Sequence, residues 1–187
     1  MDEHLNPWQI LSQHTVYENP WIQLTEFLVI NPKGGNGIYG KVHYKHLAVG
    51  VIPLDENLNT WLVGQYRFPL GQYSWEIPEG GGRMEEDPMD AAKRELMEET
   101  GLVAKSWTKI LTMHLSNSVS DELSLIYLAR DLEEHMATPE ETEELLIKKL
   151  PFDEVGMMVE TGKITDAMSV AAIQQIQLMI FQGKIKK

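Results

Sequence analysis

Apolar and polar positions change period along the chain, and each change marks an element. Alternation among β-branched and aromatic residues predicts strands over 9–17 and 21–31, parted by an Asn19-Pro20 turn. The run Asn31-Pro32-Lys33-Gly34-Gly35-Asn36-Gly37 is built of turn formers and predicts a hairpin loop into a strand near 38–44. Together these form an antiparallel N-terminal sheet. His46 to Pro53 and Trp61 to Tyr66 read as core strands joined by the polar turn Asp55-Glu56-Asn57-Leu58-Asn59. A helix from Pro88 to about Thr100 follows, then strands near 103–114 and 122–129, an acidic loop around 131–144, a strand over 145–150 and a short helix from Pro151. The last helix, 166–182, carries Val170, Ile173, Ile176 and Ile180 at helical spacing. The chain has no internal repeat and no low-complexity tract.

The helix before residue 101 carries the chemistry. Asp87 suits its N-cap, Pro88 its first position and Gly101 its left-handed stop. Met89, Ala92 and Leu96 give it an apolar stripe. Because a helix turns about 100° per residue, Glu95, Glu98 and Glu99 crowd one side beside Arg94. Three carboxylates so placed repel unless cations sit among them, and hard divalent ions favour carboxylate oxygen. Gly80 to Gly82 lead in, letting backbone groups approach a ligand closely. An ordinary acidic surface helix would account for the charge, but not for Arg94 among the acids or for the triple glycine.

Composition narrows the partners. At 187 residues and 43% hydrophobic content the chain can bury a real core. Its net charge of −12 argues against nucleic acid or an anionic membrane surface. An anionic phosphate substrate would then be drawn in by bound cations and a few local basic groups. Zero cysteines exclude disulfides, thiolate metal sites and a Cys nucleophile. The segment MDEHLNPWQI is acidic and unlike a signal peptide, and no apolar run approaches about 18 residues, so a cytoplasmic protein is expected. The six histidines show no paired ligand spacing.

With U for a bulky aliphatic residue, Gly80, Glu86, Arg94, Glu95, Leu96, Glu98, Glu99, Gly101 and Leu102 fit G-x5-E-x7-R-E-U-x-E-E-x-G-U. That pattern is the Nudix box, here 80–102 and complete, and the chain resembles the Nudix hydrolases. YENPWIQL, the Pro-Lys-Gly-Gly hairpin, VGQYRFPLG, WEIPEGGG and ITDAMSVAA extend the likeness over nearly the whole chain. They are similar to the ADP-ribose and nucleoside-diphosphate-sugar pyrophosphatase branch. The resemblance implies an α/β (α+β) fold, the Nudix α-β-α sandwich with a mixed sheet, plus an N-terminal antiparallel sheet. It divides the chain into a 1–45 sheet subdomain, expected to dimerise, and a 46–187 Nudix domain. In that branch the sheet is commonly exchanged across a homodimer whose subunits build the pocket jointly.

Carried over by position, the resemblance assigns Glu95 and Glu99 as principal metal ligands, with Glu98 serving a further ion or its water shell. The main-chain carbonyl of Glu79 is a further ligand, and Mg2+, or Mn2+ in its place, is the expected cofactor. Arg94 would hold a glutamate in orientation with its guanidinium fork. Glu86 would steady the loop and helix, or be a first-turn acid favoured by the helix dipole. The general base in this branch comes from a flexible acidic loop. Here that is Thr138-Pro139-Glu140-Glu141-Thr142-Glu143-Glu144, with Glu141 and Glu143 the candidates. Any one of those glutamates, taken singly, reads first as a solvated loop charge.

Substrate candidates lie outside the box. Arg67 would meet the diphosphate and Glu76 a ribose or sugar hydroxyl, while Trp21 offers a stacking face. Ser120 and Glu122 fall in a loop that the branch places near the terminal sugar. ADP-ribose hydrolases commonly carry a proline in that region, where this chain has HLSNSVSDE with Asn117 and Ser118. Strict ADP-ribose specificity is therefore in doubt. The reaction implied is hydrolysis of a nucleoside diphosphate sugar or ADP-ribose to a nucleoside monophosphate and a sugar phosphate. Two alternatives are hydrolysis of nucleoside triphosphates or dinucleoside polyphosphates, and nucleotide sensing without turnover.

Overall fold

The computed structural model describes residues 5–137 and 145–185. They divide into two compact units, one of Met1–His46 with Ser116–Glu122, the other of Leu47–Leu115 with Leu123–Lys187. The short segment Ser116–Glu122 thus groups with the N-terminal residues, whereas a boundary drawn at 45/46 in the sequence leaves it in the second part.

In the first unit, β1 (Gln9–Glu18), β2 (Ile22–Ile30) and β3 (Asn36–Tyr44) form an antiparallel sheet in sequence order. Asn31 organises the β2–β3 hairpin, its side-chain oxygen accepting from the amides of Lys33 and Gly35. All ten residues of β1 are exposed. The segment 116–122 is tied to β3 by Asp121, which accepts from Lys41 Nζ (3.1 Å) and the Tyr44 amide (3.1 Å) and pairs with His43 Nδ1 (2.8 Å).

The second unit holds two sheets. One is antiparallel: β10 (Leu146–Pro151), β5 (Asn59–Arg67) and β6 (Gln72–Glu76), in that order. The other is mixed, in the order β7 (Glu79–Arg83), β4 (His46–Pro53), β9 (Leu123–Glu134), β8 (Leu102–His114), with β4 and β9 parallel. Successive side chains on a strand face opposite ways, and that alternation sorts the core into two layers. Val49, Val51, Trp61, Leu125, Tyr127 and Ala129 pack with Ala91, Ala92 and Leu96 of helix α1 (Pro88–Thr100). Their neighbours Ile52, Leu62, Ile126 and Leu128 face α2 (Phe152–Glu160) and α3 (Ala167–Phe181), through Val155, Met168, Ile173 and Ile176. The result is the α-β-α sandwich. Ile173 and Ile176 are wholly buried, each contributing about 1.5–3 kcal/mol of transfer free energy.

Two short strands, β6 and β7, are absent from the hydrophobic pattern; in β7, Gly80 to Gly82 have little intrinsic strand preference. The acidic loop also begins later than the sequence suggests. β9 runs to Glu134 because Leu132 to Glu134 still pair with Ala104 to Leu102, past an Asp131 in the left-handed region at φ 57°.

Candidate active site

The site is built on β7 and α1. Asp87 caps the helix by accepting from the Met89 amide at 2.8 Å, Pro88 opens it, and Gly101 closes it at φ 72°. The buried face of α1 carries acids as well as aliphatic residues: Glu95 is 9% exposed and Glu99 2%. Buried carboxylates need partners, and each has one. Glu99 Oε2 accepts the Glu79 amide at 2.9 Å, joining α1 to the first residue of β7. Glu95 Oε1 and Glu98 Oε2 each lie 2.9 Å from Arg94 Nη1, and Arg94 Nη2 donates to the Gly81 carbonyl at 2.9 Å. Glu86 Oε1 stands 3.6 Å from Arg94 Nε. Arg94 thus binds helix, loop and strand together. Burial disfavours its charge, but the carboxylates of Glu95 and Glu98 outweigh that and raise its pKa above the ordinary guanidinium value.

Gly80 has a steric reason. A Cβ there would overlap the carboxyl group of Glu95, so only glycine lets that side chain lie against the strand. At Gly82 a Cβ would stand 3.0 Å from the Ala91 methyl, which crowds the seating of α1 on β7.

A second group of charges lies beside Glu79. Arg67, at the end of β5, donates from Nε to both oxygens of Glu76 (3.1 and 3.0 Å) and from Nη2 to Glu76 Oε2 (2.5 Å) and Glu79 Oε1 (3.1 Å). Glu76 is buried, while a third of the Arg67 side chain remains exposed. Asp166 caps α3, its Oδ2 accepting from the Ser169 amide at 2.7 Å, and Ser169 Oγ accepts from the Ile77 amide at 2.9 Å. That pair of bonds fixes the start of α3 against the segment carrying Glu76 and Glu79. Burial pushes the Glu79 carboxyl well above the usual carboxylate range; Asp166, Glu76 and Glu99 push the same way, and Arg67 opposes them.

Among the described residues no three acid or histidine side chains stand as a finished metal cage. Glu95 and Glu98 turn toward Arg94, and Glu99 toward a backbone amide. The donor set nevertheless fits a hard divalent cation. It consists of carboxylate oxygens on one helix face against a glycine strand, and Glu79 Oε2 is buried with no hydrogen-bond partner. Glu79 was placed in the sequence for its carbonyl alone, and neither its side chain nor Asp166 is marked there by any spacing.

The remaining candidates lie on other segments. Trp21 is 66% exposed, just before β2. Ser120 donates its hydroxyl to the Ser116 carbonyl at 3.2 Å, and Glu122 ends the same segment. Ser120 also borders a cleft of about 290 Å³ within the first unit, among Trp8, Phe27, Tyr39 and Val119. Glu141 and Glu143 lie outside the described residues.

The NUDIX domain family matches residues 44–171, and the chain belongs to it. It is 31% identical to an ADP-ribose pyrophosphatase of Mycobacterium tuberculosis (strain ATCC 25618 / H37Rv) over 92% of this chain and 84% of that protein. An ADP-ribose pyrophosphatase of Bacillus subtilis (strain 168) is 34% identical over 70% of this chain and 72% of its own length. The crystal structure of an ADP compounds hydrolase shares the fold, with a TM-score of 0.85 at 22% identity, covering 97% of this chain and 98% of that one. Members of this family generally act with divalent metal ions. No helix among the described residues is long and apolar enough to cross a membrane.

Proposed function

We propose that the protein hydrolyses the pyrophosphate bond of ADP-ribose or a nucleoside diphosphate sugar, releasing a nucleoside monophosphate and a sugar phosphate. One observation carries this reading: Glu95, Glu98 and Glu99 gather with Arg94 against a glycine strand shaped to receive Glu95. The similarity to two ADP-ribose pyrophosphatases supports the substrate class.

In this reading Glu95 and Glu99, with the Glu79 carbonyl, hold Mg2+ or Mn2+, and Glu98 assists. Such cations, held by these residues, would supply charge neutralisation for the diphosphate oxygens and ease deprotonation of a nucleophilic water. Arg94 keeps the carboxylates at fixed separations, and the Glu79 amide keeps Glu99 aimed at the strand. A carboxylate of Glu141 or Glu143 takes the proton of the attacking water as the bridging P–O bond breaks. Arg67, oriented by Glu76 and Glu79, turns its exposed face to the diphosphate, while Glu76 borders the sugar side. Trp21, Ser120 and Glu122 serve the base and the terminal sugar. A homodimer fits the exposed apolar residues Ile10, Val16 and Ile38 on the first unit's sheet, and a cytoplasmic setting fits the substrate class.

A product assay with Mg2+ and a panel of ADP-ribose, ADP-glucose, GDP-mannose, UDP-glucose and ATP tests the assignment. Nucleoside monophosphate from one or more of the sugar-linked substrates is the outcome this reading requires. Turnover of ATP alone would overturn it.

A further inference from the structure

Nothing in the proposed reaction uses Ser169, in the stretch ITDAMSVAA, although it is wholly buried near the start of α3. Its hydroxyl oxygen accepts the Ile77 amide at 2.9 Å, and its own amide donates to the Asp166 side chain that caps the helix. Ile77 and Pro78 lie between β6 and β7, and so carry the chain from one sheet of the second unit to the other. Three elements hold this crossing. The Ile77 amide is taken by Ser169 of α3, the Pro78 carbonyl accepts the Val51 amide of β4 at 2.9 Å, and the Glu79 amide is taken by Glu99 of α1 at 2.9 Å. Ile77 is wholly buried and lies past the last pair of the β5–β6 ladder, so its amide needs an acceptor from elsewhere.

The acids that flank the crossing, Glu76 and Glu79, are the two that hold Arg67. The aim of the guanidinium therefore depends on how the crossing sets them apart. Packing brings Ile77 and α3 together, since a Cβ on Gly50 would stand 2.9 Å from Ile77 Cδ1 and 3.0 Å from Met168 Cε. Apolar contact has no preferred direction, whereas a hydrogen bond fixes the orientation of the peptide that makes it. We propose that Ser169 is a positioning residue for the substrate: by anchoring the Ile77 amide it sets the separation of Glu76 and Glu79, and through them the direction in which Arg67 meets the diphosphate. This rests on the pyrophosphatase reading above, in which Arg67 faces the diphosphate, and extends it to a residue of α3 that acts only through others.

A double-mutant cycle in kcat/KM tests this, with ADP-ribose or the sugar-linked member of the panel turned over fastest, and Mg2+. It compares the full-length wild type, Ser169→Ala, Arg67→Lys and the pair, at a temperature at which circular dichroism shows all four folded. Ser169→Ala removes only the acceptor oxygen, and Arg67→Lys keeps the charge but loses the fork that Glu76 and Glu79 orient. Alone, Ser169→Ala is expected to lower kcat/KM by about tenfold. On the Arg67→Lys background the same change should alter it by less than about twofold. The urea midpoint should fall in both backgrounds, because an unpaired buried amide is destabilising whatever stands at position 67. Losses in kcat/KM that multiply, or wild-type kcat/KM in Ser169→Ala, would overturn this inference alone and leave Ser169 as a structural bond. A wild type that releases no nucleoside monophosphate from any sugar-linked substrate would overturn the reading from which it starts.

Discussion

The acid floor of β7 and α1 and the N-terminal sheet carry charge in opposite circumstances. On the floor, Glu99 and Glu95 are almost wholly buried, and their partners are a backbone amide and one arginine shared by several acids. On the sheet, Lys41 and His43 meet Asp121 where all three side chains are more than a third exposed. Exposed pairs contribute about 0–1 kcal/mol each, whereas an uncompensated buried charge costs several. The pKa directions follow the same division. Burial and neighbouring acids raise the Glu79 carboxyl; at Asp121 partial burial pushes up too, but hydrogen bonds from His43, Lys41 and the Tyr44 amide bring it below the usual range. Charges on the sheet fix the placement of a loop at little expense. Those on the floor are an expense to folding, and the account explains them by the cation chemistry of the site.

Glu99→Gln is expected to lower kcat by about 10²–10³-fold while the protein stays folded; wild-type turnover at saturating Mg2+ would show the burial to be merely structural. One of Glu141→Gln and Glu143→Gln should slow kcat by about 10²-fold or more, the range for losing a general base. If neither does, the base lies on another segment. Gly80→Ala places a methyl on the Glu95 carboxyl, which can swing aside as the end of a flexible side chain, so the variant should lose activity while its denaturant unfolding changes little. Asp121→Asn on the sheet should cost only about 0–1 kcal/mol. The contribution of Asp121 is fully present above the unfolded carboxylate pKa of about 3.9 and is lost as pH falls through its lower folded value. The stability difference between this variant and the wild type should therefore begin to shrink below about pH 3.9 and vanish once pH is well below the lowered folded value; a difference that did not shrink with falling pH would assign the effect to packing.

The same contrast governs what could be read from the sequence. The box helix was legible to its ends, because Asp87, Pro88 and Gly101 are local signals and each acts within its own turn. Strand β4 was legible over its full length of His46–Pro53, since a strand buried on both faces is a continuous apolar run. Strand β7 was not, because its pairing with β4 and the Glu95 carboxyl against Gly80 both come from residues distant along the chain. The grouping of Ser116–Glu122 with the N-terminal sheet depends on Asp121 reaching Lys41 and His43, about eighty residues away. The Arg67–Glu76–Glu79 pairing likewise joins three elements that no motif spans. Charge pairs that cross elements leave no periodic trace. For that reason Glu79 was read for its carbonyl, and Asp166 only as the start of a helix.

Hydrolysis of ADP-ribose followed by phosphorus NMR, first in chelator and then with excess Mg2+, for the wild type and for a Glu95→Gln, Glu99→Gln double variant, tests metal-dependent hydrolysis at the acid floor most directly. No turnover is expected in chelator, AMP and ribose phosphate once Mg2+ is added to the wild type, and no recovery in the double variant. Product formation in chelator, or full recovery in the double variant, would contradict it.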